Sequence, residues 1–416
     1  MNRRSILCAL LLLALAVGAP GGQPLQAATM ITVTTLADEL NVDGDCSLRE
    51  AINAANLNTA VDGCPAGSGD DLITLAGGTY ALTIAGSDDA NASGDLDIAP
   101  AAATDLLTIQ GAGAGLSLID GNDLDRVVHV ATTLGGLRLV DLTVQNGQVA
   151  EAGGAGVLNW GTLILQDVVI SNNTVSGTST DAIGGGLCNG CVTGTGTATL
   201  INTSIANNAA RRGGGIFSNR PLTIGASSII TNTAQSGGGI SNYGGLTITN
   251  STVSGNIGTE AFAAITQNNG ALSISNSTIS HNTSPAIGGI VGSGGTSGLL
   301  NTIVSDNAGG NCAGSLTSQG HNLSDDTTCA ASFTASGDRN NLDPRLGPLR
   351  DNGGPTLTRA LLPGSPAVNG GANAGCPAAD QRGTARPQAG ICDIGAYERV
   401  GVDTYIHLPA LLKSAP

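Results

Sequence analysis

NTSIANN (residues 202–208), NSTVSGN (250–256), NSTISHN (276–282) and NTIVSDN (301–307) are one seven-residue phrase written four times. Weaker copies are DVVISNN (167–173) and ASSIITN (226–232). The closing asparagines, Asn173, Asn208, Asn232, Asn256, Asn282 and Asn307, are spaced 35, 24, 24, 26 and 25 residues apart. A glycine-rich corner leads each turn: GGAGV, IGGGL, RGGGI, SGGGI, FAAI and IGGI. Between phrase and corner runs a short apolar stretch such as LTI at 222–224 or 246–248. Alternating β-branched residues bounded by Gly and Asn read as short strands and tight corners. A rung of about 25 residues with three such strands brings the chain back one strand spacing, about 4.8 Å, along an axis. Equivalent asparagines then stack. Parallel crossovers are almost always right-handed. The chain is therefore expected to be all-β, a right-handed parallel β-helix (a solenoid) over residues 70–335, with an N-terminal capping helix and a small C-terminal module. DLLTIQGAG from 105 and LRLVDLTVQNG from 137 fit less regular rungs. Leucine-rich repeats have a similar period, but their Leu-x-x-Leu-x-Leu signature is missing.

Composition agrees. Glycine supplies 63 of 416 residues, aromatics 2 % and apolar residues 41 %. That is too apolar for a disordered polymer and too poor in rings for an ordinary core; thin layers of small aliphatic side chains remain. Arg3 and Arg4, the apolar run from Ile6 to Val17 and small residues near Ala28 read as a signal peptide, 1–28. Removing the two arginines leaves 14 basic against 31 acidic residues, a net charge of −17. Such a chain has no electrostatic footprint for nucleic acid. No later run is long enough to cross a bilayer as a helix. The expected location is secreted or cell-surface.

CSLREAINAAN (46–56) is the one stretch that reads as a helix. Ser47 and Glu50 make a capping box, and Leu48, Ala51, Ile52 and Ala55 make one apolar face. A solenoid needs a lid over its open end, so residues 29–69 are expected to cap the coil. A docking helix for a partner is the functional alternative.

CSLREA resembles the N-terminal signature of secreted bacterial β-helix proteins called CSLREA-domain proteins, and SGDLDI (93–98) looks like the same family. LDPRLGPLRDNGGPTLTRALLPGSPAVNGG from 342, DQRG at 380 and DIGAYE at 393 resemble the choice-of-anchor Q domain, placing that module at 336–400. The GGGI corners resemble those of polymorphic outer-membrane proteins, without a translocator barrel. The resemblance implies a pectin-lyase-like β-helix, export and adhesin-like proteins of the cell surface, and no settled activity. A short apolar tail, 401–416, follows the module.

Nine cysteines become eight after leader removal. Only neighbouring turns of a solenoid touch, so the expected pairs are Cys46–Cys64, Cys188–Cys191, Cys312–Cys329 and Cys376–Cys392. CNGC at 188–191 has no second Cys-x-x-Cys and no His pair to make a zinc site.

Three groups of side chains are candidates for function. IDGNDLDRVVH (119–129) gathers Asp120, Asp123, Asp125, Arg126 and His129, candidate catalytic residues for a polysaccharide lyase. The same letters also make a routine turn. Polygalacturonase motifs are missing from the sequence. DDANASGDLD places Asp89, Asn91, Ser93, Asp95 and Asp97 at the odd positions of a calcium loop, but Pro100 stands where a bidentate Glu is expected. Calcium is thus the candidate cofactor. Counting three residues beyond each corner gives Trp160, Gly190, Asn219, Tyr243 and Asn268, a candidate ligand-binding ladder for glycans. The leading expectation is a non-enzymatic surface or extracellular binding scaffold whose partner is a glycan or another cell-surface ligand. The alternatives are a polysaccharide lyase or glycoside hydrolase, and a purely structural surface component.

Overall fold

The computed structural model describes residues 28–100, 105–151, 153–191, 194–262 and 264–401. Of the expected signal peptide (1–28) and apolar tail (401–416), residues 1–27 and 402–416 lie outside the described residues. The chain winds into a parallel β-helix. We name its faces in the order one rung visits them, using the rung that starts at Leu246. Leu246–Thr249 lies in sheet A, Thr252–Ser254 in sheet B, Ile257–Gly258 in sheet C and Ile265–Gln267 in sheet D. The sheets hold eleven, ten, five and nine strands respectively, all paired in parallel with the next rung. The sequence predicted three strands per rung. The fourth, sheet C, spans only the middle turns, where two- to four-residue strands bridge the corner after the asparagine.

The core is a set of single-residue stacks. On sheet A the stack runs Ile31, Ile73, Ile109, Leu139, Leu165, Leu200, Ile224, Ile248, Ile274 and Leu299, each in register with the next and none exposed. Its first member belongs to Met30–Thr32, so the capping segment also contributes the first strand of sheet A. Fully burying each such side chain contributes about 1.5–3 kcal/mol. Strict repetition of aliphatic residues at the same strand positions, two per strand on sheet A such as Leu222 and Ile224, therefore replaces the aromatic core that the composition denies.

The asparagines that end each phrase point inward and stack. Asn173, Asn208, Asn232, Asn256 and Asn282 each donate Nδ2 to the Oδ1 of the next asparagine in the series at 2.9–3.0 Å. Their backbone N–H groups reach the same oxygens at 2.9–3.1 Å. The ladder satisfies polar backbone at a corner that no strand serves. The asparagines that open the phrase do something else. Asn202, Asn250, Asn276 and Asn301 have φ of 48–51°, the left-handed conformation that turns sheet A into sheet B. The glycine corner is tied to the ladder. A Cβ on Gly215 would lie 2.9 Å from Asn232 Nδ2 and 2.7 Å from the Gly239 carbonyl oxygen, so only glycine lets the ladder pass.

Helix α1, Leu48–Leu57, closes the N-terminal end. Ser47 Oγ accepts from the Glu50 N–H at 3.2 Å, and Glu50 accepts from the Ser47 N–H at 3.0 Å. Leu48, Ala51, Ile52 and Ala55 join the coil's core. At the other end Phe333 is buried beside Cys312 and Cys329. Cys46 is bonded to Cys64, Cys188 to Cys191, Cys312 to Cys329 and Cys376 to Cys392.

The C-terminal segment lies along the side of the coil. Its hairpin, Leu346–Arg350 with Thr358–Leu361, and the loops after it cover the outside of sheet B. Gln381 accepts from Thr252 Oγ1 at 2.6 Å and donates to the Ser227 carbonyl at 3.2 Å. Arg359 donates to Ser254 Oγ at 3.0 Å, and Asn276 and Asn301 donate to the carbonyls of Gly375 and Ala372.

Candidate functional site

Four faces, two of them covered and one short, define where a ligand could act. Sheet B lies under the C-terminal segment. Sheet C is short. On sheet D the middle residue of each strand faces outward: Asp97, His129, Leu158, Cys188, Phe217, Ser241 and Thr266 succeed one another in register. All seven are buried under the chain's own corners. Sheet A is the open one. Its outward column Thr199, Thr223, Thr247, Ser273 is in register, and Thr223, Thr247 and Ser273 are exposed. A second column adds Thr249 and Ser275. The face carries hydroxyls at one strand spacing and no ionisable group over these rungs.

The ladder read from the corners exists as a column of backbone hydrogen bonds. The N–H of Trp160, Gly190, Asn219, Tyr243 and Asn268 donates to the carbonyls of Val130, Asn159, Asn189, Ser218 and Asn242 on the previous rung. The column runs between sheets D and A. Its rings turn onto sheet D. Trp160 meets His129 edge to face at 4.4 Å, and Tyr243 lies 5.5 Å from Phe217 and accepts from Arg212 at 3.1 Å. Asn219 stays exposed.

The candidate catalytic cluster separates into two parts. Asp120 accepts from Gln145 and Asn146 at 2.8–3.1 Å, and Asn122 and Asp123 both adopt positive φ. This part is a corner between rungs. Arg126 and His129 instead meet the loop of the calcium-like motif. Arg126 pairs with Asp95 at 2.9 Å. His129 Nδ1 lies 3.1 Å from Asp97 Oδ1 and 3.5 Å from Asp89 Oδ1. Burial pushes the Asp95 carboxyl up to about 6; Arg126 opposes this, and the charges of Asp97 and Asp125 add to it. Of the five calcium candidates, Asp89 and Asp97 come together, with His129 beside them. Asn91 is buried and donates to the Arg49 carbonyl and to Asn53 Oδ1, Ser93 bonds Asp88, and Asp95 holds Arg126.

Arg49 is the functional-looking residue that pattern reading missed. It is fully buried and donates to Asp38 Oδ1 at 2.6 Å and to the carbonyls of Gly94 and Asp95 at 2.8 and 3.1 Å. Burial alone would raise the Asp38 carboxyl, but Arg49 and the N–H groups of Ile84 and Thr83 hold it below its ordinary value. CSLREA and SGDLDI are thus the two halves of one contact, with Arg49 as the clamp. The signal was an arginine on the helix with no acidic residue three or four positions further along it.

The fold and faces define a parallel β-helix with one open lateral face and a laterally docked C-terminal segment. No family model and no curated protein matches the chain. Among solved structures it is similar to the crystal structure of pectate lyase Pel9A, at 15 % sequence identity, covering 90 % of this chain and 97 % of that one, with a TM-score of 0.49. At that identity and score the likeness assigns this chain no activity.

Proposed function

We propose that the chain is an exported, non-enzymatic scaffold that binds a glycan or another neutral, hydroxyl-rich surface ligand along the outside of sheet A. The observation that carries this reading is the exposed column Thr223, Thr247, Ser273, the only wide outward sheet face among the described residues that the chain leaves uncovered over these rungs. Hydroxyls both donate and accept, so a column at one strand spacing suits a repeating polymer engaged by many weak contacts. The backbone column of Trp160, Asn219, Tyr243 and Asn268 borders that face, with Asn219 exposed and the Trp160 and Tyr243 rings turned onto sheet D. The CSLREA-like and choice-of-anchor Q-like motifs support export and surface attachment, and the four disulfides suit an oxidising exterior.

A polysaccharide lyase is the second reading, and one observation favours it: Asp95, Asp97, Arg126 and His129 gather on adjacent turns. Against it, the Arg126 and His129 side chains are only 13 % and 2 % exposed, and Arg126 is held by Asp95. A base for a polymer must be reachable.

The test is a glycan array probed with the untagged mature chain and with a Thr223→Arg, Thr247→Arg double variant. Retention on at least one polysaccharide, reduced about tenfold or more in the variant, is expected. Equal retention by both proteins would move the site off sheet A.

A further inference from the structure

We propose that His129, Asp97 and Asp89 form a binding site for a divalent transition-metal ion of the zinc class, at the N-terminal end of sheet D. The inference is independent of the binding face on sheet A.

The strands Leu96–Ile98 and Val128–Val130 are parallel neighbours, and Asp97 and His129 are register partners. Both side chains point outward from the coil, side by side. Asp89 reaches them from the preceding loop. The three ligand atoms all lie within 4.8 Å of one another, with Nδ1 at 3.1 and 3.5 Å from the two carboxylate oxygens. Metal bonds of about 2.0–2.2 Å hold the ligand atoms of a tetrahedron about 3.3–3.6 Å apart. The two spacings from Nδ1 are therefore close to those a small cation needs. They leave a fourth position on the solvent side, where Asp89 is 81 % exposed.

A second observation concerns the imidazole itself. His129 is 2 % exposed, and its Nε2 is buried with no hydrogen-bond partner. The ring stands at 88° to the Trp160 indole. A neutral imidazole with its proton on Nε2 turns a bare Nδ1 lone pair toward two carboxylates. With the proton on Nδ1 it can serve only one of them and leaves Nε2 bare. A cation bound by Nδ1 and both oxygens satisfies all three groups at once and leaves an N–H for the indole, a weak but recurrent contact.

The surroundings hold the ligands in place. Asp97 Oδ2 accepts from the Asn91 N–H at 3.0 Å, which directs Oδ1 at the imidazole. Asn91 is fixed by the Arg49 carbonyl and Asn53, and the Asp97 carbonyl accepts from Asn56 at 2.8 Å. Outer contacts of this kind orient metal ligands. An imidazole with two carboxylates favours zinc, nickel or copper; calcium takes six to eight oxygens.

The experiment uses the untagged mature chain, stripped with chelator and titrated with zinc chloride against a chromophoric competitor. Cobalt(II) serves as the optical probe. One zinc per chain, a raised melting temperature and the visible absorption of four-coordinate cobalt are expected. His129→Gln should lose the absorption. Asp89→Ala removes an exposed ligand that the fold does not need, and should weaken zinc at least tenfold. If His129→Gln does not fold, the Asp89 variant still decides. Failure to bind one zinc, unchanged affinity in Asp89→Ala, or calcium bound as tightly as zinc would each overturn the proposal.

Discussion

Asn207 and Asn208 are adjacent, identical in chemistry and opposite in role. Asn208 is 1 % exposed and sits in the inward ladder; its Oδ1 accepts from the Asn173 N–H at 3.0 Å and from Asn173 Nδ2 at 2.9 Å. Its own Nδ2 donates to the Ile170 carbonyl and to Asn232, each at 3.0 Å. Asn208→Ala strands the Asn173 N–H outright and frees one amide proton beside it. Each buried orphan costs about 1–3 kcal/mol, so the variant should lose about 2–6 kcal/mol. That is a large share of the about 5–15 kcal/mol typical of a folded domain. Asn207 is exposed, has φ of 57° and accepts one hydrogen bond, from Thr231 at 2.6 Å. Asn207→Gly removes that surface contact but keeps the left-handed turn without strain, so it should cost under about 1 kcal/mol. Urea unfolding followed by far-ultraviolet circular dichroism separates the two. Equal midpoints for Asn207→Gly and Asn208→Ala would refute the ladder as a source of stability.

Three further outcomes follow from the same geometry. Ser47→Ala should cost about 1 kcal/mol through the lost cap, and Ile52→Asp several times more by opening the end of the coil; thermal unfolding of Ile52→Asp at the wild-type temperature would show that α1 is no lid. The Asp95 carboxyl should titrate near 6 by carbon NMR, and Arg126→Gln should move it higher, because Arg126 is the group that lowers it. Its folded value lies above the unfolded one of about 3.9, so the proton stabilises the fold below that value and the contribution is lost as pH rises through about 6. Gln381→Leu should raise hydrogen exchange over residues 343–400 while the ladder rungs stay protected, since Gln381 is one of the buried ties between that segment and sheet B.

The regular turns were legible because successive rungs repeat one solution: inward aliphatics on each strand, a left-handed residue at the turn from sheet A to sheet B, most often asparagine, and one ladder asparagine. The capping box of α1 was legible because it is local. Sheet C was missed because two-residue strands such as Ile257–Gly258 carry no alternation to read. The docking of the C-terminal segment onto sheet B was invisible because Gln381 meets Thr252 across 129 residues with no periodic signal. The pairing of Asp97 with His129 was hidden by the irregular early rungs, although it left a trace. LDI and VHV are both apolar triplets with an ionisable centre, and matching them as equivalent strands aligns the two side chains.

The central claim, binding without cleavage, is tested most directly on whichever polysaccharide the chain retains. The polymer is incubated with the purified mature protein and calcium, then followed by absorbance of unsaturated uronate and by release of reducing ends. Retained polymer recovered at its original length is the predicted result. Turnover that disappears in Arg126→Ala or Asp123→Ala would contradict the account and make the early cluster an active site.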